Sequence, residues 1–321
     1  MKKILYYIIL FCIPMQLMAQ YDPSAGVIGS KALYKDSNIF VAWTNACSIN
    51  RGWQNIVDTS LGRTTVGDSN SIIGIADNNV VSLGDGGTII LNFSSPIFNG
   101  KGPDFAIFEN SFDDGFLELA FVEVSSDGST FHRFAAIDNN DTTIQYNNAA
   151  HLDATRLYNL AGKYRAGYGT PFDLEELKNI AGLDIYHITH IKLIDVIGSI
   201  NDSFCSRDSR GLKINDPWPT PFPSGGFDLD AVGVIHDFNH TGFANMGSNK
   251  SIYIYPNPAN DYIQIQNLES NSTIILYDIT GKLIDVSQQQ NIVNITDLIA
   301  GVYYLKIQQR NLCTYYSFIK Q

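Results

Sequence analysis

Apolar and polar residues alternate along most of this 321-residue chain. Between Val80 and Val234 the alternation recurs in short runs: "VVSLG", "GTIILNF", "DFAIFEN", "LELAFVEVS", "HITHIKLIDVIG" and "FDLDAVGVI". A period of two is the pleat of a β-strand. The runs are separated by "GDGG", "NGKGP" and "SSDGS", and Asp127-Gly128 within "FVEVSSDGSTFHRF" predicts a tight hairpin that returns at Phe131. Only "PFDLEELKNIAG" carries helix signals. Pro171 near its start, acidic residues in the first turn and a closing Gly182 predict about two turns of helix. Short strands at this spacing predict an all-β, two-sheet sandwich with long loops. Three later alternating stretches, "IYPNPANDYIQIQ", "IILYDITGKLIDV" and "ITDLIAGVYYLKIQ", predict a second, small immunoglobulin-like sandwich. The segment Tyr21 to Asn79 mixes extended and helical signals and reads as irregular chain packed on the first sandwich.

The ends of the chain add an itinerary. "MKKILYYIILFCIPMQLMAQ" places two lysines before an apolar run that closes at Ala19, the pattern of a signal peptide over residues 1–19. That run is shorter than the roughly 20 residues a bilayer crossing needs. "HDFNHTGFANMGSNK", from His236, has no periodicity and contains the linker, 238–250, between a first domain at 20–237 and a second at 251–321.

Charge narrows the partners. A net charge of −11 with only 17% charged residues leaves no Lys/Arg stripe to neutralise phosphates, which argues against nucleic acid. The acidity instead suits a hard cation such as calcium. Three cysteines follow the leader; Cys313 falls in the second sandwich, so Cys47 and Cys205 are the expected disulfide, with two free thiols as the alternative.

Two kinds of feature stand out as candidate chemistry. In "FDLDAVGVI", strict alternation puts Phe227, Leu229 and Ala231 on one face and Asp228, Asp230 and Val232 on the other. Carboxylates two apart on a strand repel by about 2 kcal/mol at an effective dielectric near 20 and by far less in water, so burial decides their meaning. A covered face needs a positive partner. The residues leave three readings open: a structural calcium held by Glu109, Asp228 and Asp230, a partner among Arg207, Arg210 and Lys213, or a solvated face with no partner. The second feature is a pair of aromatic loops. "LAGKYRAGYGTPFD" carries Tyr164, Arg165, Tyr168 and Phe172, and the proline-rich "KINDPWPTPFPSGG" carries Trp218 and Phe222. Stiff loops bearing rings suit flat or amphipathic ligands, although Trp218 and Phe222 could equally cap the core. Glu109, Glu118 and Glu123 could serve glycoside hydrolysis, but nothing singles out an acid and a base. With no GxSxG, HExxH or nucleotide loop, a non-catalytic binding protein is the expectation.

Resemblances extend these expectations. "VEVSSDG…F" and "ITHIKLIDVIGS" resemble strands of galactose-binding-like jelly rolls, a fold that often holds a structural calcium. "GPDFAIFEN", "AGKYRAGYGTPFDL" and "SGGFDLDAVGV" are similar to a group of exported cell-surface proteins of Bacteroidota, often associated with corrinoid (vitamin B12) uptake. That resemblance implies a surface protein that binds a corrinoid and works beside an outer-membrane transporter; the aromatic loops would equally suit a glycan, and a glycan-binding module or an adhesin is the alternative expectation. Pro256-Asn257-Pro258, Gly281-Lys282 and "AGVYYLKI" resemble the type IX secretion sorting domain, implying contact with that machinery, export and surface attachment or release.

Overall fold

The computed structural model describes residues 21–147, 149, 151–238, 252–266, 268, 272–289, 291–309 and 312–321. The expected signal peptide and most of the expected linker lie outside the described residues. The chain divides after Ile235 into two compact units, two residues before the expected domain end.

Among its described residues the first unit contains thirteen strands: β1 (Leu33–Tyr34), β2 (Ala42–Trp43), β3 (Ala46–Asn50), β4 (Val81–Ser82), β5 (Thr88–Ile97), β6 (Phe105–Glu109), β7 (Ala120–Ser125), β8 (His132–Arg133), β9 (Ile137–Asp138), β10 (Leu157–Tyr158), β11 (Tyr168–Phe172), β12 (Ile188–Asp195) and β13 (Asp228–Val234). One antiparallel sheet runs β1-β11-β6-β13-β2 with β4 also on β13, a second runs β3-β5-β12-β7-β8, and β9 and β10 pair as a separate two-stranded sheet. Ile89, Leu91, Val122, Val124, Ile191 and Leu193 face Phe105, Ile107, Phe172, Leu229, Val232 and Val234 across one dry core. This is the expected sandwich. The "SSDGS" hairpin also forms as expected, pairing Glu123 with Arg133 across a turn in which Gly128 takes φ 75°. Asp127 Oδ1 accepts the Ser129 and Thr130 N–H groups, which holds its carboxyl down at about 2.

Both outer faces are covered too. Loops bring Leu117, Leu152, Leu157, Leu160 and Ile214 over Phe121, while the N-terminal segment packs Leu33, Phe40 and Trp43 over Ala106, Phe108 and Ala231. Strands β7 and β13 are therefore buried along their whole length. The N-terminal segment is irregular and packed, as its mixed sequence predicts.

Two expectations of local structure change. The helix reduces to a single 3-10 turn, Leu174–Leu177, capped by the Asp173 carboxylate on the Glu175 N–H. Only Leu174 and Leu177 bury, too little apolar surface to carry a second turn. In β13 the alternation breaks. Leu229 pairs with Glu109 but Ala231 pairs with Phe108, a β-bulge at Asp230 that sets two residues against one. Val232 consequently joins Phe227 and Leu229 in the main core, and Ala231 goes to the outer cluster, the reverse of the expected faces.

The second unit pairs two four-stranded antiparallel sheets around Ile263, Ile265, Leu276, Val293, Leu305, Ile307 and Phe318. Asn257 of the Pro-Asn-Pro turn accepts the Ile319 N–H at 3.0 Å and donates to the Ser317 carbonyl at 3.2 Å, tying that turn to the last strand. Asp278 Oδ1 accepts the Thr280 and Lys282 N–H groups and so shapes the Gly281-Lys282 hairpin.

Candidate functional site

A cleft of about 380 Å³ opens where the C-terminal end of β6 meets the N-terminal end of β13. Glu109 ends β6, Asn110 to Phe116 form the loop after it, Glu118 precedes β7, Thr220 to Ser224 come from the loop before β13, and Asp228 begins β13. The first loop is shaped by Asp113, whose Oδ1 accepts the Gly115 and Phe116 N–H groups, both at 2.7 Å. The second closes on itself through Phe222 N–H to the Thr220 carbonyl and Gly225 N–H to the Phe222 carbonyl. These turns hold three phenylalanines at the rim. Phe112 stacks on Phe116 with centroids 5.0 Å apart, and Phe112 and Phe222 stay 74% and 50% exposed.

The floor is acidic. Glu109, Glu118 and Asp228 are 1%, 8% and 7% exposed. Burial, followed by the nearby Asp228 charge, pushes Glu109 well above the usual carboxyl range, although its Oε2 accepts the Ser111 N–H at 2.8 Å. Glu118 is pushed well up by burial and then by Asp228, Glu109, Asp216 and Asp195, influences that all act in one direction. Burial raises Asp228 to about 7, against a smaller pull from Ser82 and Arg51. Ser82, the register partner of Asp228 on β4, is the hydrogen-bonding neighbour that lowers this carboxyl, and both its hydroxyl and Asp228 Oδ1 are sealed from solvent.

A second row of buried acids positions the first. Asp216 Oδ2 accepts the N–H of Leu119, the neighbour of Glu118, at 2.9 Å. Asp195 accepts the N–H of Phe227, the neighbour of Asp228, at 2.7 Å and that of Gly86 at 2.9 Å. Gly162, at φ +83°, sits behind both: a Cβ there would come within 1.9 Å of the Glu118 carbonyl and 3.1 Å of the Phe227 ring.

The expected metal triplet is divided by this geometry. Glu109 and Asp228 line the cleft, whereas Asp230 at the bulge accepts the Asp77 and Asn78 N–H groups at 3.0 and 3.1 Å. It thereby caps a turn in which Asn78 adopts φ 69°. Among the described residues no group of three or more His, Cys, Asp or Glu side chains is placed to hold a metal ion. The expected cationic partners are also engaged elsewhere, Arg207 and Lys213 with Asp202 and Arg210 with Asp208.

Of the six expected ligand contacts only Phe222 lines the cleft. Tyr164 and Phe172 are core residues, each 1% exposed, so neither offers a face to a ligand. Arg165 pairs with Asp114 at 2.7 Å and lies 4.9 Å from the Tyr168 ring, and Tyr168 itself is fixed on β11 against Tyr34 of β1. Trp218 is half-buried and its indole is committed to Asp85. The disulfide does not form either: Cys47 and Cys205 are free thiols. Cys47 is fixed in register with Leu91 on β5, and Cys205 closes its own turn onto the Asn201 carbonyl. Sequence reasoning passed over Phe112, Phe116 and the role of Glu118 here. The spacing of two phenylalanines across the acidic, glycine-containing "FDDGF" was the available signal.

Residues 253–321 match the family model of a secretion system C-terminal sorting domain. The chain is therefore exported, for attachment to the cell surface or release, and its second unit is the part that engages the type IX secretion machinery. No curated protein matches the chain. A solved structure described as a biofilm associated protein BSP domain is similar at 9% identity over 89% of this chain and 53% of that one, with a TM-score of 0.18. The chain spans about half the length of that structure, and a similarity of this size carries no argument about fold or function.

Proposed function

We propose that this exported chain is a non-catalytic cell-surface binding protein whose cleft at the end of the first sandwich takes a hydroxyl-rich ligand, a glycan. The observation that carries the reading is the cleft's composition: aromatic faces at the rim over buried carboxyl groups that can exchange hydrogen bonds with hydroxyls. Its volume of about 380 Å³ falls within the range of roughly 300–1,000 Å³ usual for small-ligand pockets. A corrinoid is less well served. Its macrocycle is bulky for such a cleft, and two of the rings expected to grip it, Tyr164 and Phe172, are in the core.

Glycoside hydrolysis is the second reading, favoured by the convergence of Glu109, Glu118 and Asp228. Hydrolysis by two carboxyls works best when their environments push the proton affinities apart, leaving one acid and one ionised partner. Here all three are pushed the same way. Isothermal titration against an oligosaccharide panel and cyanocobalamin, with a reducing-sugar assay on the same mixtures, tests the set. Binding of a glycan without new reducing ends is the expected result. Heat from cyanocobalamin alone would return the corrinoid, and new reducing ends lost in Glu118→Gln would make the chain an enzyme.

A further inference from the structure

We propose that the type IX secretion machinery grips the second unit on the outer face of one of its two sheets, through an apolar surface of its own. The unit's strands are β14 (Tyr253–Tyr255), β15 (Tyr262–Gln266), β16 (Thr273–Asp278), β17 (Leu283–Ile284), β18 (Gln288–Gln289), β19 (Ile292–Asn294), β20 (Gly301–Gln309) and β21 (Leu312–Lys320). They are ordered β14-β15-β19-β18 in one sheet and β17-β16-β20-β21 in the other. An antiparallel sheet with one face in water alternates apolar and polar residues, whereas a strand apolar on both faces is suited to being covered twice. Strands β16 and β20 break the alternation. They read Ile274-Ile275-Leu276-Tyr277 and Val302-Tyr303-Tyr304-Leu305.

Among the described residues, the unit covers only one side of these strands. Ile274, Leu276, Tyr303 and Leu305 pack in its core, together with Ile284 and Phe318 from the flanking strands. Alternation turns Ile275, Tyr277, Val302 and Tyr304 to the other side. Register joins that side into one band: Leu283 lies opposite Tyr277, Tyr277 opposite Tyr304, and Val302 opposite Ile319. Leu283, Val302, Tyr304 and Ile319 are 60%, 40%, 44% and 47% exposed. Lys306, opposite Ile275, and Ser317, opposite Tyr304, are polar positions within it.

The opposite sheet supplies the contrast. There Tyr262 lies opposite Asn294 and Ile292 opposite Gln264, so each exposed apolar side chain is set against an amide, as a solvated face requires. Closing the core does not demand the unbroken band across β17, β16, β20 and β21, and an exposed apolar patch of this kind marks an interaction surface. Its occupant follows from where it lies. Residues 253–321 match a secretion sorting domain, and a sorting domain works by being bound. The band is built on "AGVYYLKI" itself, and the Gly281-Lys282 hairpin delivers Leu283 to its edge. Tyr277 and Tyr304, paired across its two middle strands, are anchors of the type that interface centres favour, large rings with few torsions to freeze.

The experiment is fractionation of cells that carry the machinery and express the full chain. Val302→Ser combined with Tyr304→Ser is expected to lower the surface-bound and released fraction at least tenfold, leaving in the periplasm a chain that still melts cooperatively. Tyr304→Phe should retain export, and Tyr262→Ser combined with Ile292→Ser, on the opposite sheet, should match the parent. A photo-crosslinking phenylalanine analogue placed at position 283 or at position 262 of the otherwise unaltered chain gives a second readout. Crosslinks to components of the machinery, identified by mass spectrometry, are expected from 283 and not from 262. Parental export of the Val302 and Tyr304 double variant overturns the proposal, as does an equal loss from the Tyr262 and Ile292 pair. Should the double variant fail to fold, the crosslinks decide: none from 283, or the same from 262, overturns it. Crosslinks from 283 to a second copy of the chain, with a dimer in solution that the double variant lacks, reassign the face to self-association.

Discussion

Trp218 donates its indole N–H to Asp85 Oδ2 at 3.1 Å, and the same oxygen accepts the Ile56 N–H at 2.8 Å. Burial raises the Asp85 carboxyl, and these two donors pull it back. Trp218 therefore supports the fold. Trp218→Phe keeps an aromatic body but leaves Asp85 short of a donor, which should cost about 1–3 kcal/mol. A lower urea midpoint with unchanged ligand affinity is the expected result; an affinity loss at unchanged stability would return Trp218 to the binding surface.

Asp228 sets a pH dependence. Its carboxyl ionises at about 7 in the folded chain against 3.8 for the free group. As pH rises the unfolded chain gives up this proton first, so the contribution of Asp228 to stability is whole below pH 4, falls between about 4 and 7, and is level above. Asp228→Asn removes that slope. The variant should gain on the parent across this window, by an amount of order 4 kcal/mol at pH 8. Urea unfolding of both proteins at pH 4, 6 and 8 measures the difference; parallel curves would show that Asp228 is not held protonated.

Lys163 and Asp22 form an ion pair at 3.0 Å, with side chains only 4% and 15% exposed. Lys163 also donates to the Leu157 carbonyl, and the Tyr164 hydroxyl donates to Asp22. Removing one partner strands a charge in the interior. Lys163→Met should therefore cost about 3–5 kcal/mol, while the double variant with Asp22→Leu should recover much of it. Additive losses in the double-mutant cycle would refute the coupling.

Gly162 packs directly against the backbone of Glu118, one of the residues lining the cleft. Alanine there would meet the Glu118 carbonyl at 1.9 Å in a left-handed conformation, so Gly162→Ala should lose about 2 kcal/mol or more. Because the clash falls on Glu118 itself, ligand affinity should drop as well. Gly182→Ala, at a similar φ of +86° but with open space around it, provides the control: strain without the clash, and unchanged affinity.

Each unit closes its own core, so a chain ending at Ile235 should melt as the parent's first unit does. Without residues 253–321 it should fail to reach the cell surface, which fractionation of expressing cells would show.

Much of the fold was legible because burial writes itself into alternation. The runs that became β5, β7 and β12, and the Ser125 to Phe131 turn, needed no tertiary information beyond one dry face. The bulge at Asp230 was not legible, since counting by twos assumes that every residue has one partner across the sheet. Coverage of the outer faces was only half legible. Phe40 and Trp43 announce an apolar segment, but not which sheet it covers. For the site, Glu109, Glu118, Phe222 and Asp228 were singled out from sequence, whereas Phe112 and Phe116 were not, and the six come together only through turns that Asp113, Thr220 and Asp216 build from distant stretches. Aromatic content misled in the same way. Tyr164 and Phe172 lie in a loop-like sequence, yet the chain folds them inward.

The extra residue in β13 also separates two aspartates that spelling alone makes twins. Changing Asp228 interrogates recognition, since it lines the cleft; changing Asp230 interrogates assembly, since it clasps residues 77 and 78. A library that randomised both together would blend two phenotypes, and only position-by-position scoring would tell lost binders from lost folders.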